Sequence, residues 1–507
     1  MKALLSILAA IALAIPLAAE QPNMIVIMAD DVGYGDLSCY GADDFETPYL
    51  DQLAEEGIRF TSGYCSASTC TPTRYSLLTG TYAFRQEGTG IAPPSSPLVI
   101  PEDTTTIADV LSSAGYKTAV IGKWHLGLGG PEGPDWNGDL KPGPIELGFD
   151  TCFLLPTTND RVPQVYVKDH RILNLDPADP IWVGKQPPSP EHPTGVTHRD
   201  SLKMDWTHGH NHTIHNGISR IGYYTGGHAA RFRDEDLADK WVEQSVKWME
   251  DNQGDPFFLF FASHDNHVPR MPHERFQGAT PLGFRADSIV QLDWCVGELM
   301  KAADRLGIAE NTIFVFCSDN GPVMDDGYAD GALEMLGDHR AAGPFKGGKY
   351  SVYEGGTRTP FITRWKGTIE PAVSDEVVST IDLFASLANL AGTELPDEAA
   401  LDSIDVMGAL IGEEGAKGRA ELVQQDNGRV GNYGFRQGDW KLVVHEKGQA
   451  RNVVVETKLA NTEVPNYQLF NLADDPEETK DVIAENPQIA ETMKTRLSEI
   501  IDSGRSR

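Results

Sequence analysis

Four stretches of this chain are apolar without alternation: Asn23–Ala29, Thr118–Gly122, Phe257–Ala262 and Thr312–Cys317. A strand with one wet face alternates apolar and polar residues. A strand sealed on both faces does not. Between these runs, Pro48–Gly57, Thr106–Ala114, Asp234–Asp251 and Ala286–Leu306 carry apolar residues at helical spacing. Strands alternating with helices predict an α/β fold: a large doubly wound, mostly parallel sheet with helices on both faces. Ligands of such sheets bind beyond the carboxyl ends of the strands, so polar residues just after each apolar run become candidates.

The texture changes twice. From about Gly127 to Gly227 the chain is rich in Pro, Gly, His and Trp and has little period. So long an irregular stretch inside a compact protein reads as the walls of a substrate pocket. After about Val378, Ser379–Ala391 reads as a helix and Pro396–Gly418 as loop. Asn432–His445 and Arg451–Glu456 read as antiparallel strands. Pro487–Ile501 reads as a final helix capped by Asn486. The division predicted is a main α/β domain over 20–378 and a smaller C-terminal α+β subdomain, with an antiparallel sheet, over 379–507. Residues 1–19 read as a signal peptide: Lys2, the apolar run Leu4–Leu17, then Leu17-Ala18-Ala19. That run is shorter than the ~20 residues a spanning helix needs. The expectation is export to the periplasm or beyond, without stable membrane insertion.

Composition sharpens this picture. With 507 residues, 40% hydrophobic and 23% charged, the chain can bury a sizeable core. Its net charge of −32 argues against nucleic acid as a partner and for solubility. Six cysteines are present, at 39, 65, 70, 152, 295 and 317. Export permits disulfides, yet if one cysteine is consumed chemically the remaining odd number cannot all pair. Cys317, inside an apolar run, reads as a small buried hydrophobe.

The candidate chemistry sits where topology expects it. Asp30 and Asp31 end the first apolar run; Asp319 and Asn320 follow a later one. Hard oxygen donors of this kind suit Ca²⁺ better than zinc. Lys123 and His125 are two apart, so in an extended segment they leave the same face. His264 and His267 follow Phe257–Ala262, and Lys346 and Lys349 lie in a Gly-rich loop suited to anion approach, with Arg358 as a brace. Cys70-Thr71-Pro72-Thr73-Arg74, with Thr79-Gly80 downstream, sets a thiol beside a helix breaker and a fixed cation.

Together these phrases resemble the type I, formylglycine-dependent, arylsulfatase-like sulfatases of the alkaline phosphatase superfamily. The resemblance rests on Cys70-x-Pro72-x-Arg74, Gly122-Lys123-Trp124-His125, the stretch Lys349 to Tyr353-Glu354-Gly355-Gly356-x-Arg358, and the C-terminal phrases Phe435–Leu442 and Leu469–Glu478. Thr73 departs mildly from the usual Ser or Ala. The resemblance implies that Cys70 is oxidised to formylglycine (3-oxoalanine), whose hydrate is the nucleophile, by a formylglycine-generating or anaerobic sulfatase-maturating enzyme. It implies one Ca²⁺ per chain, held by Asp30, Asp31, Asp319, Asn320 and residue 70. It implies catalytic roles for Cys70, Arg74, Lys123, His125, His267 and Lys349. Arg74, Lys123 and Lys349 grip sulfate, His267 and Lys349 protonate the leaving alcohol, and His125 removes a proton from residue 70.

Family and compartment together point to a sulfated carbohydrate as substrate. Arg161 and Arg220 are candidate contacts for an anionic sugar. His208, His210 and His212 alternate in the irregular stretch and read as a polar sugar wall, a second metal site or a solvated loop. Two rival functions remain on sequence alone: a phosphodiester or phosphonate monoester hydrolase of the same superfamily, and a catalytically inactive glycan-binding relative.

Overall fold

The computed structural model describes residues 21–427, 431–446 and 464–507. The predicted leader 1–19 and the predicted strand Arg451–Glu456 lie outside the described residues. Asn23–Ala29 is the centre of a ten-stranded sheet, flanked by Thr312–Ser318 on one side and Phe257–Ala262 on the other. Lys117–Lys123 and Thr151–Leu155 continue the parallel block outward. Every residue of the central strand is buried. Met24, Val26 and Met28 enter one hydrophobic cluster and Ile25, Ile27 and Ala29 the other, one on each face of the sheet. That two-sided burial is why the run does not alternate.

On the other flank Phe361–Trp365 runs antiparallel to Thr312–Ser318, and Ile58–Tyr64 runs antiparallel to Phe361–Trp365. Two reversals restore the direction of the parallel block, so Ile58–Tyr64 ends at the same edge as the central strands. Ala372–Ser379 closes this side, parallel to Ile58–Tyr64. The helix predicted from Ser379 therefore starts later: Ser379 ends a strand, a 3₁₀ turn covers Thr380–Asp382, and the α-helix is Leu383–Leu390. The strand Ala-Val-Ser-Asp-Glu-Val-Val-Ser carries three polar residues in a row and its first six residues are exposed or half-buried, so it shows neither an unbroken apolar run nor an alternation, which hid it. The stretch 127–227 is likewise less irregular than its sequence, since Thr151–Leu155, Val167–Lys168 and Arg171–Ile172 extend the main sheet.

Near the C-terminus, Glu421–Gln425, Asn432–Gln437, Trp440–His445 and Tyr467–Asn471 form a four-stranded antiparallel sheet. The helix Pro487–Asp502 packs on it. Asn486 takes the cap position with Pro487 in the first turn, but its side chain makes no cap bond and donates to the Val482 carbonyl instead. A short helix, Met407–Ile411, interrupts the predicted loop 396–418. All six cysteines are free thiols, and Cys317 is fully buried. Among the described residues no helix is long and apolar enough to cross a membrane.

The two sheets are joined by a buried charge network. Lys441 of the small sheet reaches Glu354 at 2.8 Å and Glu478 at 3.1 Å, and all three side chains are fully buried. Glu354 also accepts from Tyr64 Oη at 2.6 Å and from Arg358 at 3.2 Å. Burial opposes ionisation of Glu354, but Lys441 and Arg358 hold its carboxyl at about 2. Burial lifts Glu478 to about 7. Removing the Lys441 ammonium takes the ion pair of the buried Glu478 and leaves Glu354 with Arg358 and Tyr64. Lys441→Met is therefore expected to cost about 3–5 kcal/mol in chemical denaturation, while Lys417→Met at an exposed pair should change stability by about 0.5 kcal/mol or less.

Candidate active site

Every candidate element reaches one edge of the large sheet. Asp30 and Asp31 follow Asn23–Ala29, and Asp319 and Asn320 follow Thr312–Ser318. Lys123 and His125 close Lys117–Lys123, His267 lies beyond Phe257–Ala262, and Arg161 lies beyond Thr151–Leu155. Cys70 follows Ile58–Tyr64, and the Lys349–Arg358 loop enters Phe361–Trp365 from the same side because that strand runs backwards. The ends are stitched by backbone: Asp30 N–H to the Asp265 carbonyl at 2.9 Å, Asp319 N–H to the Ala29 carbonyl at 3.1 Å. Gly122 shows the tightness required. A Cβ there would lie 1.9 Å from the Ala262 carbonyl oxygen, and its φ is +114°.

Cys70 is the first residue of the helix Cys70–Thr79, all ten residues of which are buried. Pro72 falls in the first turn, where no backbone donor is needed. Gly80 ends the helix in the left-handed region with φ 61°, which explains the Thr-Gly of the motif. Burial pushes the Cys70 thiol up, with Lys123 and Lys349 pulling the other way. An unaltered thiol here is a protonated, shielded group rather than a ready nucleophile.

Cys70 Sγ lies 3.2 Å from His125 Nδ1. His125 Nε2 lies 3.0 Å from the Ala92 carbonyl oxygen. A carbonyl only accepts, so the imidazole proton sits on Nε2 and the lone pair of Nδ1 faces residue 70. Burial, then Lys123 and Arg161, hold His125 well below the usual histidine range, so the ring is neutral. His267 is complementary. Its Nδ1 donates to the Val268 carbonyl at 2.7 Å, leaving Nε2 for the cleft. Burial and the ammonium groups of Lys349 and Lys123 lower it well below the usual range.

The charges are interleaved. Lys123 Nζ bonds Asp30 at 2.5 Å, and Lys349 Nζ bonds Asp31 and Asp326 at 2.9 Å each. Arg74 gives Nε and Nη2 to Asp319 at 3.0 and 2.8 Å, and Nη1 to the Lys123 carbonyl at 3.0 Å. Three of its five N–H groups are taken, and through them Arg74 braces Asp319. Burial, then the neighbouring Asp319, push the Asp30 carboxyl well above its usual range. Asp30 Oδ1 and Asn320 Oδ1 are buried without a hydrogen-bond partner. Oxygens of Asp30 and Asp31 and a ring nitrogen of His267 lie within 4.8 Å of one another. Surplus negative charge and orphaned acceptors fit a hard divalent cation at this edge.

The pocket wall sorts differently from its sequence reading. Arg161 bonds Asp160 at 2.9 Å, and His210 Nε2 bonds the same carboxylate at 2.9 Å. His210 Nδ1 faces the His208 carbonyl at 2.8 Å, so both ring nitrogens must donate. Arg220 is not a sugar contact: it is fully buried against Asp234 at 2.7 Å. His212 stacks on Tyr223 and His208 is substantially exposed, so the alternating histidines do not converge on one ion. Lys346 lies over the Tyr353 ring, 3.9 Å from its centroid, instead of in the site. His264 accepts from Trp241 Nε1 at 3.1 Å and is structural. Arg358 does brace, tying Glu354 to Ser62.

Sequence reasoning missed Asp326 and Tyr350. Asp326 holds Lys349, and Tyr350 Oη donates to it at 3.0 Å. Tyr350 adopts φ 76°, a left-handed conformation rare for a bulky residue. Asp326 comes from a Gly- and Asp-rich loop with no local period, so only the folded loop brings it to Lys349.

Comparison with known proteins identifies the family. A family model described as sulfatase matches residues 22–393. The N-acetylgalactosamine-6-O-sulfatase of Bacteroides thetaiotaomicron is 44% identical over 488 residues, 96% of this chain and 94% of that protein. Arylsulfatase A of Homo sapiens is 32% identical over 495 residues, 94% of this chain and 87% of that one. A solved 6S-sulfatase structure, reported with the metabolism of multiple glycosaminoglycans by Bacteroides thetaiotaomicron, superposes with a TM-score of 0.89 at 43% identity, covering 95% of this chain and 99% of that chain. The chain belongs to the sulfatase family of the alkaline phosphatase superfamily, and it is a sulfatase.

Proposed function

We propose that this enzyme is exported and removes 6-O-sulfate from a sulfated amino sugar of the N-acetylgalactosamine type, using residue 70 as formylglycine. The substrate follows the relative 44% identical along nearly the whole chain, an N-acetylgalactosamine-6-O-sulfatase. The observation carrying the mechanism is the Cys70–His125 contact of 3.2 Å with its lone pair facing residue 70. A thiol raised by burial is a poor nucleophile there, which favours conversion by a maturating enzyme.

Asp30, Asp31, Asp319, Asn320 and residue 70 would hold one Ca²⁺, with His267 alongside. Once bound, the ion supplies a Lewis acid that draws charge from sulfate oxygens. The aldehyde at residue 70 supplies, as its hydrate, a hydroxyl in place of the thiol. The chain's own groups do the rest. Lys123 and Lys349 bind the sulfate oxygens and stabilise the charge that grows as the ester S–O bond breaks. Arg74 orients Asp319 and the Lys123 carbonyl. His125 takes a proton on Nδ1 from residue 70. Lys349, whose ammonium stands beside His267, gives a proton to the departing alcohol oxygen, and His267, with its Nδ1 proton on the Val268 carbonyl, turns the lone pair of Nε2 to the cleft. Arg161, anchored on Asp160, presents donors to the sugar hydroxyls, and His210 holds that carboxylate from the other side. Asp326 and Tyr350 set Lys349 at the rim. The sulfate-directed lysines and the family membership favour sulfate over a phosphoester, and the complete charge set disfavours an inactive glycan binder.

Three outcomes test this reading. The matured peptide carrying residue 70 is expected to weigh about 18 Da less than its thiol form, O replacing S with loss of two H. The matured enzyme should release sulfate from 6-O-sulfated N-acetylgalactosamine and far less phosphate from aryl phosphodiesters. Cys70→Ala should lower kcat at least about 10³-fold; undiminished turnover in that variant would end the proposal. Separately, Ca²⁺ should raise Tm in calorimetry, equivalent to about 2.7 kcal/mol at a hundredfold excess over Kd. The rise should vanish in Asp30→Ala/Asp319→Ala, and an equal rise in both proteins would remove the ion from this edge.

A further inference from the structure

His125 depends on a neighbour that the motif leaves variable. Thr71 is fully buried. Its hydroxyl donates to the His125 carbonyl at 3.1 Å and accepts from the Ala92 N–H at 3.2 Å. The Ala92 carbonyl in turn takes the His125 Nε2 proton at 3.0 Å, and the opposite ring nitrogen faces Cys70 Sγ at 3.2 Å. The contacts close a ring through residues 70, 71, 92 and 125. His125 also sits at φ 54°, a left-handed backbone that a non-glycine residue keeps only where surroundings over-determine it. The Thr71 hydroxyl grips the carbonyl of that strained residue.

We propose that Thr71 is a positioning residue: by sharing one hydroxyl between the Ala92 N–H and the His125 carbonyl, it fixes the Ala92 carbonyl against the imidazole, and so keeps the proton on Nε2 and the lone pair on Nδ1 toward residue 70. This rests on the reading that His125 handles the proton of residue 70. The chemistry demanded at 71 is narrow. One atom must donate and accept at once, in a space sealed from water. Serine meets that demand. Valine matches the shape of threonine but leaves a buried N–H and a buried carbonyl without partners. Without the tie, the Ala92 peptide and the His125 backbone are free to shift. The ring then loses the acceptor that selects its tautomer, as happens when the outer partner of a catalytic histidine is removed.

The test compares Thr71→Val with Thr71→Ser. Because residue 71 lies within the recognition motif of residue 70, rates are expressed per matured site, measured from the mass of the residue-70 peptide. Thr71→Val is expected to lower kcat about 10- to 100-fold with KM within about twofold, and Thr71→Ser to stay within about threefold of the parent. In ¹⁵N-histidine spectra of the unmatured protein, with His125 assigned by its loss in His125→Gln, parent and Thr71→Ser should show a protonated Nε2 and a bare Nδ1. Thr71→Val should show the tautomers mixed. If Thr71→Val does not fold, Thr71→Ala takes its place with the same readouts. A parental kcat or an unchanged tautomer in the hydroxyl-free variant overturns the proposal. Full turnover in His125→Ala would instead overturn the role of His125, and the spectra would still decide what Thr71 does.

Discussion

A carboxylate taken out of water must find a cation or give up its charge. That constraint organises this molecule. Strands sealed on both faces end in Asp30, Asp31 and Asp319, all fully buried. Shielded from bulk solvent, these carboxylates are paired with Arg74, Lys123 and Lys349 at the same edge. The cations come from three different parts of the sequence, and each belongs to an element whose direction delivers it there. Even so the balance is incomplete. Burial, and then Asp319 beside it, push the Asp30 carboxyl well above its usual range. Surplus negative charge of this kind suits a hard cation.

Much of this was legible in the chain because the strongest physical signal, unbroken hydrophobicity, marks the very strands that carry the site. Asn23–Ala29, Phe257–Ala262 and Thr312–Ser318 declare themselves, and the residues after them follow. Ile58–Tyr64 did not, since Arg59, Thr61 and Ser62 break its pattern. Phe361–Trp365 hid for a similar reason: Arg364 lies within it, buried yet paired with Glu56 at 2.6 Å. In both cases a partner across the fold cancels the polar cost, and no local window contains that partner.

The site divides along the same line. Ligand and acid–base types could be named from their place after a strand. What each side chain does could not, because it depends on where its other hydrogen bonds go. Arg74 reads as a hand for sulfate, and its bonds to Asp319 and the Lys123 carbonyl add a bracing role that no spacing announces. Arg220 reads as a sugar contact until Asp234 claims it. Thr71 reads as filler in a motif and is instead joined to two backbone groups far along the chain. Long-range hydrogen bonding is invisible to residue spacing.

The buried tie from Lys441 to Glu354 has a temporal corollary. Glu354 lies five residues beyond Lys349, and its Glu478 neighbour comes from near the end of the chain. The catalytic rim is locked only after those late segments emerge and dock. Cys70, synthesised early, is almost completely enclosed in the finished protein, with 2% of its surface accessible. A macromolecule can therefore reach that sulfur only before the late segments dock, and the distance between positions 70 and 441 sets how long that opening lasts.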